Sequence, residues 1–112
     1  MTFAPFDVVV VPFPYADRLA EKRRPAIVVS APVLTKQHGL VWLVMVTSAD
    51  NRRWRDDIDI SDLAAAGLPA PSLARPAKIA TADAARVVRR VGRLPAKDAR
   101  ALAAVLSNLI AS

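Results

Sequence analysis

The order of segments along the chain predicts a mostly β domain, either a small antiparallel barrel or an α+β fold. Several short segments rich in β-branched residues come first, and a single segment with helical periodicity closes the sequence. The 112 residues, 54% of them hydrophobic, are enough for one compact core and too few for two. We therefore expect one domain that spans residues 1–112.

The first two predicted strands flank a charged loop. Asp7–Pro14, DVVVVPFP, is β-branched, and its prolines place its end at a sheet edge or a bend. Pro25–Ser30, PAIVVS, is the second strand, and the polar residues Tyr15–Arg24 between them predict an exposed hairpin loop. Ala31–Gly39, which contains a proline and a glycine, is expected to be a connection.

The middle of the chain contains the most apolar segment. Leu40–Ser48, LVWLVMVTS, predicts a central strand with both faces buried. After a polar patch, the alternation of Asp57–Ile60 predicts a short half-exposed strand. Ser61–Ser72 is rich in Ala, Gly and Pro, so we expect irregular structure there with one helical turn at Leu63–Ala66.

The last third of the chain ends in a helix. Leu73–Thr81 and Val91–Leu94 read as strands, with a helical turn between them at Asp83–Val88. A proline at the first turn and Asp98 near the positive end of the helix dipole predict a helix from Pro95 onward. Its apolar positions, at three- and four-residue spacing, are Ala99, Leu102, Leu106, Leu109 and Ile110.

The residue types exclude most of the common catalytic arrangements. The absence of cysteine excludes a disulfide framework and a thiolate metal site. A Ser/His/Asp triad would need His38, which lies in the stretch KQHGL with no acid nearby in sequence. The three glycines are isolated from one another, so no glycine-rich phosphate loop is predicted.

One cluster of acids follows the polar patch, at positions 56, 57, 59 and 62. Asp57 and Asp59 would share one strand face, which could suit Mg²⁺. The favoured interpretation is instead a solvated strand edge beside Arg53 and Arg55. We therefore expect no metal site and no cofactor.

Basic residues outnumber acidic ones, which predicts an anionic partner. The chain has 16 Lys plus Arg against 10 Asp plus Glu, a formal net charge of +6. Nucleic acid and an acidic protein segment both fit this charge. A compositional bias toward Ala, Arg and Val explains it equally well.

The N-terminal apolar run resembles neither a signal peptide nor a membrane span. No basic region precedes it, and Asp7, Pro12 and Pro14 interrupt it. We therefore expect a cytoplasmic protein.

Cations and hydroxyls remain as groups that could carry chemistry, and RNA suits them. Its 2′-hydroxyl can attack the adjacent phosphate, so a protein needs only to orient the backbone and stabilise the developing charge. Arg24 is the arginine best held for this role, because Pro25 biases it towards an extended conformation. The equally weighted alternative is that Lys22, Arg23 and Arg24 merely protect an aggregation-prone strand.

Two hydroxyl residues, Thr47 and Ser48, end the most apolar segment. The tip of a buried strand is stiff, so these side chains are well placed for a site. They are also ordinary strand-end residues, which is the favoured interpretation from the residue types alone.

Four ordered motifs give the chain a likeness to a known family. DVVVVPFPYAD is followed by KRRPAIVVS, then by VMVTS, then by PSLARPAKIATADAARVVRRVGRLPAKDARALAAVL. This order resembles the MazF/PemK family of toxin endoribonucleases along nearly the whole chain. The family pattern has an arginine followed by proline, a threonine that ends the third strand, and a late Ile/Val-Gly-x-Leu, here Val91–Leu94.

The resemblance implies a fold, an activity and partners. The expected fold is a small SH3-like antiparallel β-barrel with short helices and a C-terminal amphipathic helix, usually a homodimer. Members of the family cleave single-stranded RNA at short sequence motifs without metal, leaving a 2′,3′-cyclic phosphate or 3′-phosphate and a 5′-hydroxyl. The expected second partner is a cognate antitoxin whose acidic, disordered tail would occupy the same basic groove.

The resemblance also assigns roles to residues. The arginine before proline becomes Arg24, which would stabilise the phosphorane-like charge, and the strand-end threonine becomes Thr47, which would orient the attacked phosphate. The identity of the general base stays open, with water as one choice. Contacts to phosphate or base are expected from Lys22, Arg23, Ser48, Arg52, Arg53 and Lys78.

The chain departs from the family pattern at three places. Many relatives have Gly-Asp where this chain has Phe6-Asp7, the loop ADRLAEKR lacks glycine, and Pro95 replaces the usual Ser or Thr helix cap. The alternative function is a non-catalytic binding module on the same barrel, such as a CcdB-like gyrase poison or a degenerate RNA binder.

Overall fold

Six strands form one antiparallel sheet in the residues described by the computed structural model, 2–14 and 21–111. The strands are β1 (Asp7–Pro14), β2 (Glu21–Val28), β3 (Leu40–Ser48), β4 (Ile58–Asp59), β5 (Ser72–Asp83) and β6 (Arg89–Arg93). The helices are α1 (Pro32–His38), α2 (Leu63–Ala66) and α3 (Ala96–Leu109), with a 3₁₀ turn at Ala84–Arg86. The prediction of a mostly β antiparallel fold with short helices and a C-terminal helix is confirmed.

The sheet curls because β5 carries a large bulge. The strand order is β4-β5-β3-β2-β1-β6. Along β3, Val44 lies opposite Ile79 whereas Met45 lies opposite Arg75, so three residues of β5 are extra at this point. Such an insertion bends a strand and increases its twist. The sheet therefore forms a half-barrel, and the Lys78 Nζ atom lies 5.9 Å from the ring centroid of Phe13 on the distant strand β1.

Both faces of the sheet are buried, which explains the continuous apolar runs of the sequence. Alternate residues of a strand point to opposite faces. One face packs on α2 and α3 through the cluster that contains Ile27, Val44 and Leu102. The other face forms a second cluster that contains Ala26 and Met45. Over positions 43–46 the strand β3 is buried on both faces, as the sequence predicts, although the side chain of Trp42 is exposed.

Two segments differ in kind from the sequence prediction, and strand ends elsewhere differ by one or two residues. Strand β2 begins at Glu21, so Lys22–Arg24 belong to a strand and not to a hairpin loop, while residues 15–20 lie outside the described part of the chain. The segment expected to be only a connection forms α1, which has Pro32 in its first turn and Gly39 as its left-handed C-cap. Both residues are ordinary helix start and stop signals.

The last helix is held by hydrogen bonds near its N-terminus, and apolar residues at its C-terminal end are exposed. Asp98 is buried, and its carboxylate accepts hydrogen bonds from the Ser61 N–H at 2.8 Å and from the Ser61 hydroxyl at 3.0 Å. Leu102 and Leu106 are buried as the periodicity predicts, but Leu109 and Ile110 are exposed. None of the helices in the described ranges combines the length and apolarity that crossing a bilayer requires.

Candidate functional site

A groove lined by cations and hydroxyls lies at one end of strands β2 and β3. It encloses about 380 Å³ and is open to solvent. We call it the basic groove, and the described residues that line it are Lys22, Arg23, Arg24, Pro25, Val46, Thr47, Ser48, Asn51, Leu68, Pro69, Ala70, Pro71 and Ser72. None of these thirteen residues is acidic and none is a histidine, so the groove suits an anionic ligand.

The pairing of β2 with β3 brings Arg24 and Thr47 together. The ladder between these antiparallel strands runs to Ala26 opposite Met45. Two residues beyond this pair, β2 reaches Arg24 and β3 reaches Thr47. The ladder stops at the pair of Ala26 and Met45 because the next residue of β2, Pro25, has no N–H to donate. The ends of both strands beyond this pair form part of the groove wall.

The cations of the groove differ in exposure. The side chains of Lys22 and Arg23 are exposed, whereas Arg24 is half-buried. Arg24 therefore lies in the wall of the groove, next to the buried strand residues Ala26 and Ile27. Strand β2 thus places these three cations in the groove wall directly beside the core.

Thr47 has a side-chain partner in the turn that follows β3. The Asn51 side-chain amide donates a hydrogen bond to the Thr47 hydroxyl oxygen, with 2.6 Å between Nδ2 and Oγ1. The Asn51 N–H also bonds the Ser48 carbonyl at 3.1 Å, and the Asp50 N–H bonds the Ser48 hydroxyl at 3.1 Å. The sequence analysis did not single out Asn51, and the only signal for it is its place in the polar turn after a strand end.

A buried ion pair fastens the rest of this loop. Arg75 donates from Nη2 to the Asp57 carboxylate at 2.9 Å and to the Arg52 carbonyl at 2.8 Å. Its guanidinium lies 4.0 Å from the centroid of the Trp54 ring, close enough for a cation–π contact. Arg75 therefore connects strand β5 to both ends of the segment 52–57, which follows Asn51.

The expectation for Asp57 was wrong. The sequence suggested a solvated edge shared with Asp59, but Asp57 precedes β4 and is buried, whereas Asp59 is exposed. Burial by itself raises the pKa of Asp57, but hydrogen bonds from Arg75 and from the Trp54 N–H, with the nearby guanidinium charges, hold that pKa below its usual value of 3.8. The carboxylate is therefore ionised at neutral pH and accepts hydrogen bonds from Arg75 and from the Trp54 N–H.

Three of the expected RNA contacts lie outside the wall of the basic groove. Arg53 pairs with Asp59 at 3.1 Å and also donates to the Asp57 carbonyl at 3.0 Å. Arg52 is exposed on the loop after β3, and Lys78 reaches towards Phe13. The groove thus unites Lys22, Arg23, Arg24, Thr47 and Ser48, but not Arg52, Arg53 and Lys78.

The described residues contain no group of three or more His, Cys, Asp or Glu side chains arranged to hold a metal ion. His38 is exposed at the end of α1. The groups available for chemistry in the groove are guanidinium, ammonium, hydroxyl and amide.

Comparison with known proteins agrees with these observations. Residues 4–110 match the family described as PemK-like, MazF-like toxin of type II toxin-antitoxin system. Comparison with curated protein sequences gave no match. The resemblance inferred from the four sequence motifs is therefore confirmed at the level of the family.

Several solved structures share the fold at low sequence identity. The Mycobacterium tuberculosis toxin MazF-mt6 matches with a TM-score of 0.72 and 22% identity, over 91% of this chain and 93% of that one. A MazE-MazF structure from Deinococcus radiodurans matches with a TM-score of 0.77 and 19% identity, over 97% and 96%. An endoribonuclease in complex with its cognate antitoxin, from a mycobacterial species, matches with a TM-score of 0.75 and 13% identity, over 95% and 92%.

Proposed function

The chain belongs to the PemK-like, MazF-like toxin family of type II toxin–antitoxin systems, and on this premise we propose that it is a metal-independent endoribonuclease that cleaves single-stranded RNA at short sequence motifs. One observation carries the proposal. Arg24 and Thr47, distant in sequence, line the same solvent-open groove. A groove wall with cations and hydroxyls but no carboxylate suits the phosphate backbone of RNA.

The reaction uses the nucleophile that RNA itself provides. The 2′-oxygen forms a bond to the adjacent phosphorus while the bond from phosphorus to the 5′-oxygen breaks. The proton of the 2′-hydroxyl passes to water, and the leaving 5′-oxygen takes up a proton from water. The products are a 2′,3′-cyclic phosphate and a 5′-hydroxyl end.

Each group of the groove has a role in this step. Arg24 stabilises the negative charge that grows on the phosphoryl oxygens, because its planar fork of donors matches two oxygens at once. Thr47 orients the attacked phosphate through its hydroxyl. Lys22, Arg23 and Ser48 contact the flanking backbone, and Arg52, Arg53 and Lys78 extend the contacts beyond the groove wall.

The proposal includes a protein partner and an assembly state. An acidic antitoxin tail would compete with RNA for the basic groove, since carboxylates and phosphates suit the same cations. Two proteins of similar fold, a MazE-MazF structure and an endoribonuclease in complex with its cognate antitoxin, support the proposal of an antitoxin partner. We also propose that the protein acts as a homodimer in the cytoplasm.

The test is RNA cleavage in the presence of EDTA. Purified protein should generate 5′-hydroxyl ends at a recurring short motif on a long RNA. Arg24→Ala and Thr47→Val should each lower the cleavage rate by about 100-fold or more, as expected when a transition-state donor is lost. Arg100→Ala, which removes an exposed arginine of α3, serves as the matched control and should cleave like the wild type.

Three outcomes are informative. Cleavage that disappears in EDTA contradicts the metal-independent mechanism. Undiminished cleavage by both groove variants, with their fold verified by circular dichroism, removes the assignment of Arg24 and Thr47. RNA binding without cleavage by the wild type supports the non-catalytic binding module instead.

A further inference from the structure

The hydrogen bond between Asn51 and Thr47 fixes the direction in which the Thr47 hydroxyl can donate. A threonine hydroxyl has one hydrogen and two lone pairs. The Asn51 amide nitrogen, 2.6 Å from the hydroxyl oxygen, occupies one lone pair as a donor. The hydroxyl hydrogen cannot point at this nitrogen, so it is directed to another acceptor.

We infer that Asn51 is a positioning residue that makes Thr47 a hydrogen-bond donor towards the groove. This inference rests on the proposed function, and its acceptor is a non-bridging oxygen of the scissile phosphate. As the phosphorus gains a fifth bond, negative charge builds on this oxygen, and a preset donor stabilises it without reorganisation. Thr47 alone could rotate its hydrogen elsewhere.

The loop geometry fixes the position from which Asn51 reaches Thr47. The turn bonds from the main chain to Ser48 hold the Asn51 backbone beside the strand end. Arg75 then fixes the next residue through the carbonyl of Arg52. Asn51 therefore reaches Thr47 from a fastened loop, and both side chains line the basic groove.

An amide turned over by 180° would have the opposite effect. The Asn51 carbonyl oxygen would then accept the Thr47 hydrogen, and the hydroxyl would offer only lone pairs to the groove. A lone pair would repel a phosphate oxygen. The two orientations of the Asn51 amide therefore have opposite effects on the Thr47 hydroxyl, and substitutions at Asn51 distinguish between them.

The experiment compares Asn51→Asp with Asn51→Ala in steady-state cleavage of a short fluorescent RNA. A carboxylate can only accept, so Asn51→Asp takes the Thr47 hydrogen and should lower kcat by about 100-fold. Asn51→Ala leaves the hydroxyl free to rotate and should lower kcat by about fivefold, the loss of one ordinary hydrogen bond. Asn108→Asp makes the same change at an exposed position of α3 and should cleave like the wild type.

A double-mutant cycle separates this effect from simple repulsion of RNA by a new negative charge. Repulsion acts mainly on KM and persists when Thr47 is replaced, whereas loss of a transition-state donor lowers kcat. In the Thr47→Val background, Asn51→Asp should therefore cause little further loss of kcat. An undiminished loss of kcat in that background overturns the inference.

A second measurement does not depend on activity. The side-chain amide resonances of Asn51 in ¹⁵N-labelled protein should shift when Thr47→Val removes their acceptor. Unchanged resonances would overturn the inference, and so would an Asn51→Asp variant that cleaves as fast as Asn51→Ala. Neither result would contradict the proposed endoribonuclease function if the wild type cleaves RNA. A wild type that does not cleave RNA overturns the proposed function, and the role of Asn51 falls with it.

Discussion

Arg75 and Asp57 form a buried ion pair whose contribution depends on pH. The Asp57 side chain is fully buried and that of Arg75 is 10% exposed. Arg75 binds both carboxylate oxygens through Nε and Nη2, and Trp54 covers its guanidinium. Removing one partner of a buried pair leaves an uncompensated charge, which costs about 3–5 kcal/mol.

We expect Asp57→Asn to reduce the free energy of unfolding by about 3 kcal/mol at neutral pH. Because the folded-state pKa of Asp57 lies below 3.8, its ionised form stabilises the fold above that pH, and this stabilisation is lost as the pH falls through the lower, folded-state pKa. The stability gap between wild type and variant should therefore close in acid. Urea unfolding from pH 7 to about pH 2, below the usual carboxyl pKa, measures the gap, with Asp50→Asn on the same loop as the exposed control.

A gap that stays constant with pH would show that Asp57 acts through shape and neutral hydrogen bonds instead of charge. A large loss for Asp50→Asn would instead attribute the effect to the loop as a whole.

Phe6 adopts a backbone conformation that usually belongs to glycine. Its φ is +70°, a region in which a side chain meets the following carbonyl. Phe6 is partly buried and packs on the core cluster that contains Ile27, Val44 and Leu102. Phe6 is not among the described residues that line the basic groove.

At the scale of elements, helix α2 sits directly on strand β6 through two glycines. A Cβ atom on Gly67 would lie 2.1 Å from the Val91 carbonyl oxygen, and one on Gly92 would lie 2.4 Å from the Ala66 carbonyl carbon. Neither position has room for a side chain, because the facing atoms are backbone. The glycine of the Val91–Leu94 motif is therefore explained by the close approach of the two elements.

Alanine substitutions at the three glycines should distinguish the stability cost of backbone strain from that of steric crowding. Gly39, at φ +68° with nothing within 4 Å of an added Cβ, carries only backbone strain, so Gly39→Ala should cost about 1 kcal/mol. Gly92→Ala places a Cβ against the backbone of α2. Gly67→Ala combines crowding against the Val91 carbonyl with the backbone strain of a φ of +72°. We expect Gly67→Ala to be the most destabilising of the three by chemical denaturation.

Equal losses for Gly39→Ala and Gly67→Ala would mean that α2 shifts away from β6 at little cost. In that case the close approach does not constrain the sequence.

At the scale of the whole molecule, the positive charge is distributed around the surface, whereas the proposed RNA site is confined to the basic groove. The net charge is +6, yet Arg90 and Arg93 pair with the buried Asp7 and Arg53 pairs with Asp59. If RNA binds in the basic groove, removing a cation from the groove should weaken the salt dependence of RNA binding, and removing a cation elsewhere should not. Each phosphate contact to single-stranded nucleic acid contributes about 0.7 to the slope of log K against log salt.

We expect Lys22→Ala to reduce that slope by about 0.7 in binding to a 2′-O-methyl RNA, which cannot be cleaved. Lys97→Ala removes an exposed lysine of α3 and should leave the slope unchanged. Fluorescence anisotropy across a series of salt concentrations measures both. Equal changes for the two variants would indicate diffuse attraction and contradict binding in the basic groove.

Most of the strands and the last helix follow from the sequence because their signals are local. The β-branched runs place β1 and β3 at their observed bounds, and the helical periodicity gives α3 to within one residue of its start. The short helix α1 was missed although Pro32 and Gly39 mark its ends, because seven residues without a buried face give no periodicity.

The sequence by itself determined the family, the mostly β fold, and the choice of Arg24 and Thr47, since ordered motifs and strand patterns are written along the chain. Only the tertiary structure decided which side chains share the basic groove, that Asp57 is buried with Arg75, and that Asn51 contacts Thr47. The physical reason is that strand pairing joins residues 15 to 43 positions apart. The short-range contact of Asn51 with Thr47 depends in turn on how the chain folds after β3. Register and loop closure depend on all the packed elements at once, and no local pattern encodes them.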